Sequence, residues 1–387
     1  MVSFTWEDLE KAADGTPIAA WDDACEDVSS TRSKVDSYLA DGGQAYGFST
    51  LLGHLDSHRL SMRDVQNDMF RAHLVGEPHP VSLRQIRAIT AVKLSQLAQA
   101  ANGVSLEIYS ALLKSFTQLE RSSALAMDLA ASYGSGDVVP AAWWVHSVLG
   151  QNPCFDRGDV IALINGNFIT PGLVLADYAS WRSAIDEVVD TVLIARKTLG
   201  GSEVQLPVSL RDVSPLTQLV DFSFSRLRDQ VIAAVNEPTG NPLFVESGGE
   251  FKAVSNSSFL NFSLASSLSA FAEMLEACSA YLRSATERLA NVGEQREGEL
   301  VHGAYFVQPP KVSKAYFDQI HSLMNTSFPL AQSESHMVED IGDTALARWR
   351  ILNPGVELLR TQLGIAQGVL AALNSEPGQP YNFALPT

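Results

Sequence analysis

The chain is poor in the residues that would place it in several functional classes. It has three cysteines in 387 residues, Cys25, Cys154 and Cys278, odd in number and far apart, with no CxxC pair. That excludes a disulfide framework and a cysteine-rich zinc site, and fits a reducing compartment. Cations are scarce: 27 Lys and Arg stand against 44 Asp and Glu, a formal charge of −17. No Lys/Arg-rich run occurs, so neither nucleic acid nor an anionic membrane is expected as a partner. The most apolar stretch, Val160 to Leu175, is broken by Asn165, Gly166, Asn167, Pro171 and Gly172, and a bilayer span needs ~20 nearly unbroken apolar residues. The acidic N-terminus, with Glu7, Asp8 and Glu10, lacks the apolar core of a signal peptide. The expectation is a soluble, cytoplasmic protein. The eight histidines form no metal set: His54 and His58 share helical spacing but lack a carboxylate companion. Internal repeats and low-complexity tracts are also missing.

What is present is helical periodicity. Ser82 to Ala101 places Leu83, Ile86, Ile89, Leu94 and Leu97 near one face, with Asn102-Gly103 as a stop signal. Trp181 to Leu199 repeats Ile185, Val188, Val189 and Val192. From Leu264 to Val292, the residues Leu264, Leu268, Phe271, Leu275, Cys278, Leu282, Ala285 and Leu289 recur at three- and four-residue steps. Such a helix spans ~40 Å at 1.5 Å per residue, which suits the centre of an elongated bundle. Its stripe reads as a core or subunit-interface face. Gly- and Pro-rich pieces interrupt the helices at 41–53, 75–80, 133–140, 236–249 and 306–311, and polar loops are where an all-helical protein tends to hold its chemistry. The expected division is a loop-rich helical part over 1–180, a long-helix bundle over 181–374 and an extended arm over 375–387.

The most informative loop is Tyr133-Gly134-Ser135-Gly136-Asp137, followed by Val138, Val139 and Pro140. Read locally it is a helix cap, with Ser135 or Asp137 accepting backbone N–H groups and Pro140 in the first turn. Read chemically it allows backbone cyclisation. A serine between two residues without side chains lets the downstream amide nitrogen attack the upstream carbonyl, and two dehydrations leave a methylidene-imidazolone.

Several segments, in order, resemble the aromatic amino acid ammonia-lyase and aminomutase family typified by histidine and phenylalanine ammonia-lyases. Tyr46-Gly47-Phe48-Ser49-Thr50-Leu51-Leu52-Gly53 is similar to its Tyr-Gly-x-x-Thr-Gly-Phe-Gly loop, and Val75-Gly76-Glu77-Pro78 to its Gly-Val-Gly-Glu-Pro segment. Gly134-Ser135-Gly136-Asp137 stands where the family has Ala-Ser-Gly-Asp. Gly158 to Gly166 resembles Glu-Gly-Leu-Ala-Leu-(Leu/Ile)-Asn-Gly, and Val204 to Arg211 resembles Val-Gln-Asp-x-Tyr-Ser-Leu-Arg. Asn241-Pro242-Leu243 and Gln332-Ser333-Glu334-Ser335-His336 match Asn-Pro-Leu and Asn-Gln-Glu-Asp-His in the same way.

The resemblance implies a mostly α fold: a long central helical bundle of the ammonia-lyase, fumarase/aspartase-like type. It implies a homotetramer with composite active sites and a self-derived methylidene-imidazolone, with no metal. Tyr46 would be the base, its pKa lowered by nearby positive potential. Gly134, Ser135 and Gly136 would form the ring, with Asp137 assisting. Arg211 would grip a substrate carboxylate, and Asn165, Gln205, Asn241 and Glu334 would be further substrate contacts. A substrate-gripping histidine aligns near Arg71 or His73. The chain departs from the pattern at Val208, where the family has a second tyrosine, and at Leu51-Leu52, Gly134, Gly240 and Asn256-Ser257. Tyr133, beside the ring loop, is a hydroxyl that could replace the missing one. Three activities stay open: a carbon–nitrogen lyase or 2,3-aminomutase on an aromatic α-amino acid, a ring-free acid–base enzyme on an amino-acid-derived specialised metabolite, and a non-catalytic binding protein.

Overall fold

The computed structural model describes residues 2–58, 65–120, 125–200, 206–297 and 304–375. The helices are α1 (Trp6–Ala13), α2 (Ala19–Asp23), α3 (Cys25–Ala40), α4 (Val65–Ala72), α5 (Leu83–Leu97), α6 (Leu106–Gln118), α7 (Val138–Leu149), α8 (Asp159–Ile164), α9 (Ile169–Leu199), α10 (Val208–Arg211), α11 (Ser214–Asn236), α12 (Phe262–Glu297), α13 (Gln308–Met324) and α14 (Ala345–Asn374). Strands are few. Among the described residues they pair as three antiparallel ribbons, β1 (His79–Pro80) with β2 (Ala126–Met127), β3 (Leu243–Ser247) with β4 (Glu250–Val254), and β5 (Ala331–Glu334) with β6 (Glu339–Ile341).

The chain forms two compact units that are discontinuous in sequence. The first holds Met1–Asp177, Leu227–Ser266 and Phe328–Trp349, and the second Tyr178–Arg226, Ser267–Ser327 and Arg350–Thr387. Where the sequence suggests one cut near residue 180, the chain returns to the first unit twice. The returning segments carry β3 to β6, which are short and pair locally, so they leave no long-range signal in the sequence. Residues 376–387 of the expected arm lie outside those described. The expected loop over 306–311 ends early: Gln308–Lys311 opens α13, because Pro309 and Pro310 fall in its first turn, where a missing N–H costs nothing.

In the first unit α5 is the centre. A capping box between Ser82 and Gln85 starts it, and every residue from Ala88 to Leu97 is buried. Its polar side chains all have work. The Trp21 indole donates to Ser95 Oγ at 3.0 Å and the Trp144 indole to Thr90 Oγ1 at 3.0 Å. Gln96 donates to Asn167 Oδ1 and to the Ala234 carbonyl. The stretch Asp159–Leu199 is long and apolar enough by composition to cross a membrane, but 94% of its most apolar window is buried inside the protein. It is also broken: α8 ends at Ile164 and α9 begins at Ile169. In the second unit Trp181 packs against Phe271, and Phe271 against Phe224, both pairs with ring centroids 5.1 Å apart. The stripe read along α12, Leu264 to Leu289, is fully buried within the single chain.

Asp159 opens α8 with no exposure and accepts three hydrogen bonds, from the Ser105 N–H, the Ser105 hydroxyl and the Asp156 N–H, each at 2.7 Å. Arg32 lies 3.7 Å away and donates to the carbonyls of Gly103 and Arg157. This network ties α3, α6 and α8 together. Asp159→Ala leaves those donors buried and unpaired. We expect a loss of about 3–5 kcal/mol, read as a fall in the urea midpoint at unchanged slope.

Candidate active site

The 133–137 segment is wound by left-handed residues: Gly134 at φ 82°, Gly136 at φ 77° and Asp137 at φ 49°. At Gly134 space as well as φ demands glycine, since a Cβ there would lie 2.3 Å from the Asp343 carbonyl oxygen. At Gly136 the demand is conformational, the nearest atoms to such a Cβ being 3.5 Å off. The Gly134 carbonyl accepts the Asp343 N–H at 2.9 Å, and the Gly134 N–H donates to Ser132 Oγ at 3.0 Å. The segment is therefore held from outside rather than by capping α7. Asp137, the residue before α7, makes no side-chain cap; its carboxylate instead accepts from the Ser132 hydroxyl and, at 3.5 Å, from Thr170.

Ser135, 7% exposed, lines a cavity of about 530 Å³ that also meets Tyr46, His54, His73, Tyr133, Asn165, Asn241 and Glu339. Six residues singled out from the sequence thus converge or adjoin here: Tyr46, His73, Ser135, Asn165 and Asn241 on the wall, and Asp137 behind the loop. The Tyr46 hydroxyl accepts the Gly53 N–H at 2.7 Å. The Asn165 Oδ1 is buried without a hydrogen-bond partner. Asn241 Oδ1 accepts the Asn256 N–H at 3.3 Å, ahead of a cis bond to Pro242. His73 donates from Nδ1 to the Met69 carbonyl at 2.7 Å, which leaves Nε2 as an acceptor, and burial pushes its pKa down.

Two expected residues are elsewhere. Glu334 is exposed at the end of β5 and does not line the cavity. Arg211 is exposed on α10, in the second unit, with its Nε donating to the Leu206 carbonyl at 2.9 Å. Gln205 lies outside the described residues. Val208, the position of the family's second tyrosine, is 77% exposed.

The electrostatics reverse one expectation. Asp56, Glu339 and Asp340 line the cavity, and no Lys or Arg does among the described residues. Tyr46 is raised above the usual phenol range, first by burial and then by the charges of Glu339 and Asp56, against the Gly53 hydrogen bond that lowers it. The positive potential expected to activate it is absent from this chain's own wall. Tyr133 is likewise pushed up, by desolvation and then by the Glu339 charge, and is a proton donor at neutral pH.

Sequence reasoning missed Glu339 and Asp343. Glu339 is brought in by the β5–β6 turn, where Ser335, His336 and Met337 are all left-handed and His336 stacks on His54 with centroids 4.1 Å apart. Asp343 reaches Gly134 from 209 residues away, and no local pattern marks it.

Burial, then the Asp343 charge, pushes Asp137 up to about 7. An unfolded aspartate titrates near ~3.9, so between these values the folded chain holds more protons. The contribution is complete at low pH and is lost as pH rises through about 7. We expect the wild type to lose stability between about pH 4 and about pH 7, and Asp137→Asn, an isostere of the protonated acid, to flatten that slope in thermal melts across this range.

Compared with known proteins, residues 4–169 match the family described as aromatic amino acid lyase. A histidine ammonia-lyase from Burkholderia multivorans is 30% identical over 139 residues, covering 34% of this chain and 26% of that protein. One from Caldanaerobacter subterraneus is 24% identical and covers 80% of this chain and 71% of the relative. The first relatives are thus matched over roughly a quarter of their length. Among solved structures, ergothionase from Treponema denticola aligns with a TM-score of 0.81 at 15% identity, covering 96% of this chain and 88% of that one. Histidine ammonia-lyase from Trypanosoma cruzi gives 0.78 at 17%, covering 98% and 85%. These likenesses carry the helical ammonia-lyase fold across the whole chain. The first part of the chain is thus similar to the aromatic amino acid lyase family, and the likeness in fold extends over nearly all of it.

Proposed function

We propose that this chain is a carbon–nitrogen lyase or 2,3-aminomutase acting on an amino-acid substrate through a ring formed from Gly134-Ser135-Gly136. The observation that carries the reading is the ring loop itself. Two left-handed glycines flank a buried serine on a cavity wall, and the carbonyl that would be attacked is already hydrogen-bonded to the Asp343 N–H. Ring closure joins the Gly136 nitrogen to the Gly134 carbonyl carbon and releases one water. Ser135 then loses its α-proton and its hydroxyl as a second. The residues fit the group: neither flanking position carries a side chain, the Asn165 Nδ2 lies 3.6 Å from where a Cβ on Gly136 would stand, and the Oδ1 of the same amide is buried without a partner. The ring supplies an electrophilic methylidene carbon to the substrate amine.

The surrounding side chains then have definite tasks. Asp137, protonated up to about pH 7, serves as a proton source behind the loop. Tyr133 stays protonated beside Ser135 and donates. Tyr46 reaches the cavity but needs an added cation to ionise near neutrality, because the charges near it are negative. Arg211 is such a group: exposed here, it would enter the cavity of a neighbouring copy in a homotetramer and hold a carboxylate with its planar fork.

A second reading has its own observation. With Tyr46 held high and an exposed valine at position 208, ring-free acid–base chemistry on an amino-acid-derived metabolite needs only the cavity and its donors.

Intact mass and peptide mapping across 133–140 separate the two. The proposed chemistry makes the wild type lighter by two waters within that peptide and leaves Ser135→Ala at full mass. The same Ser135→Ala change abolishes ammonia release from whichever amino acid the wild type deaminates. A full-mass wild type overturns the ring.

A further inference from the structure

Lys93 is the least explained residue in the first unit. It sits in the middle of α5 with no exposed surface, and no carboxylate pairs with it among the described residues. Its Nζ donates to the Asn165 carbonyl at 3.2 Å and stands 4.4 Å from the centroid of the Phe168 ring. Burying an ammonium without a counter-ion is costly, and here burial pushes its pKa down to about 7.

A carbonyl needs no lysine to satisfy it. One turn along α5, Gln96 holds Asn167 and the Ala234 carbonyl with a neutral amide. What the amine adds is placement. Lys93 and Gln96, three residues apart on one helix face, grip the break between α8 and α9 from behind, at its first and third residues. The front of that break is the cavity. Asn165 lines it, and its Nδ2 lies 3.6 Å from where a Cβ on Gly136 would stand. The amine also sits at the carboxyl end of α8, where the helix dipole favours positive charge.

We infer that Lys93 is a positioning residue for the chemistry of this cavity, fixing the Asn165–Gly166 turn so that the Asn165 amide faces the ring loop at Gly136. The part concerning ring formation rests on the function proposed above; the part concerning the turn does not.

The test uses the full chain with Lys93→Met, which keeps bulk but removes the donor, and Lys93→Arg, which restores donor and charge. Amide hydrogen exchange is followed in peptides covering 165–168 and in α5, alongside the two-water mass deficit across 133–140. In Lys93→Met, exchange at 165–168 should rise about tenfold, the scale of one lost hydrogen bond to a charged group, with α5 still protected and a smaller fraction of ring. Lys93→Arg should return both towards wild type. Unchanged exchange at 165–168 in Lys93→Met overturns the inference. So does a uniform loss of protection in both variants, or failure of both to fold, since either makes Lys93 a packing residue. If the wild type shows no mass deficit, the ring reading fails, and exchange alone still judges the turn.

Discussion

The structure of the first unit depends on burying one helix that is not purely apolar. α5 is enclosed on every side from Ala88 to Leu97 while carrying Thr90, Lys93, Ser95 and Gln96. An unpaired polar group in such a place costs of the order of 1–3 kcal/mol, so each must find a partner, and the partners come from three different segments. Trp144 comes to Thr90, Trp21 to Ser95, Asn165 to Lys93 and Asn167 to Gln96. An all-leucine helix would bury as well and specify less. Here the polar positions dictate which segment lies where, and the break that carries Asn165 is one of the segments so fixed.

The cavity shows what such a scaffold can and cannot provide alone. It fixes four serines, two tyrosines, two histidines and several amides around a modest volume, and it leaves the wall acidic. Two phenols kept protonated by burial and by neighbouring carboxylates are suited to donating protons, not to removing them. A base near neutrality must come from a change in that field, either by a cation arriving from outside the chain or by the substrate's own charge. The exposed guanidinium of Arg211 makes the first route physically simple.

Much of this was legible in the sequence, for identifiable reasons. Helical periodicity over long segments is set by burial, and the eight positions read along α12 are all buried. Tyr46, Ser135, Asn165 and Asn241 were legible because each sits in a short motif whose loop geometry is local, and His73 was marked by its alignment. Glu339 and Asp343 were not, because their roles arise from where β6 and the start of α14 are laid, a tertiary fact with no periodic trace. Lys93 had a signal that went unread: a single charge in the apolar run Ala91-Val92-Lys93-Leu94. The field around Tyr46, raised by burial and acidic neighbours in this chain, was not legible for a related reason. Motifs carry residue types, while potentials are summed over everything nearby.

The contact between Gly134 and Asp343 has a consequence in time. A chain is made from its amino end, and domains assemble as their segments emerge. The 133–137 loop is synthesised early, yet the N–H that holds its carbonyl belongs to residue 343, and the β5–β6 ribbon that completes the cavity wall comes just before it. Until then the loop lacks that hold. Any chemistry the segment performs on itself is deferred until residue 343 has been made, so the contact acts as a clock as well as a clamp.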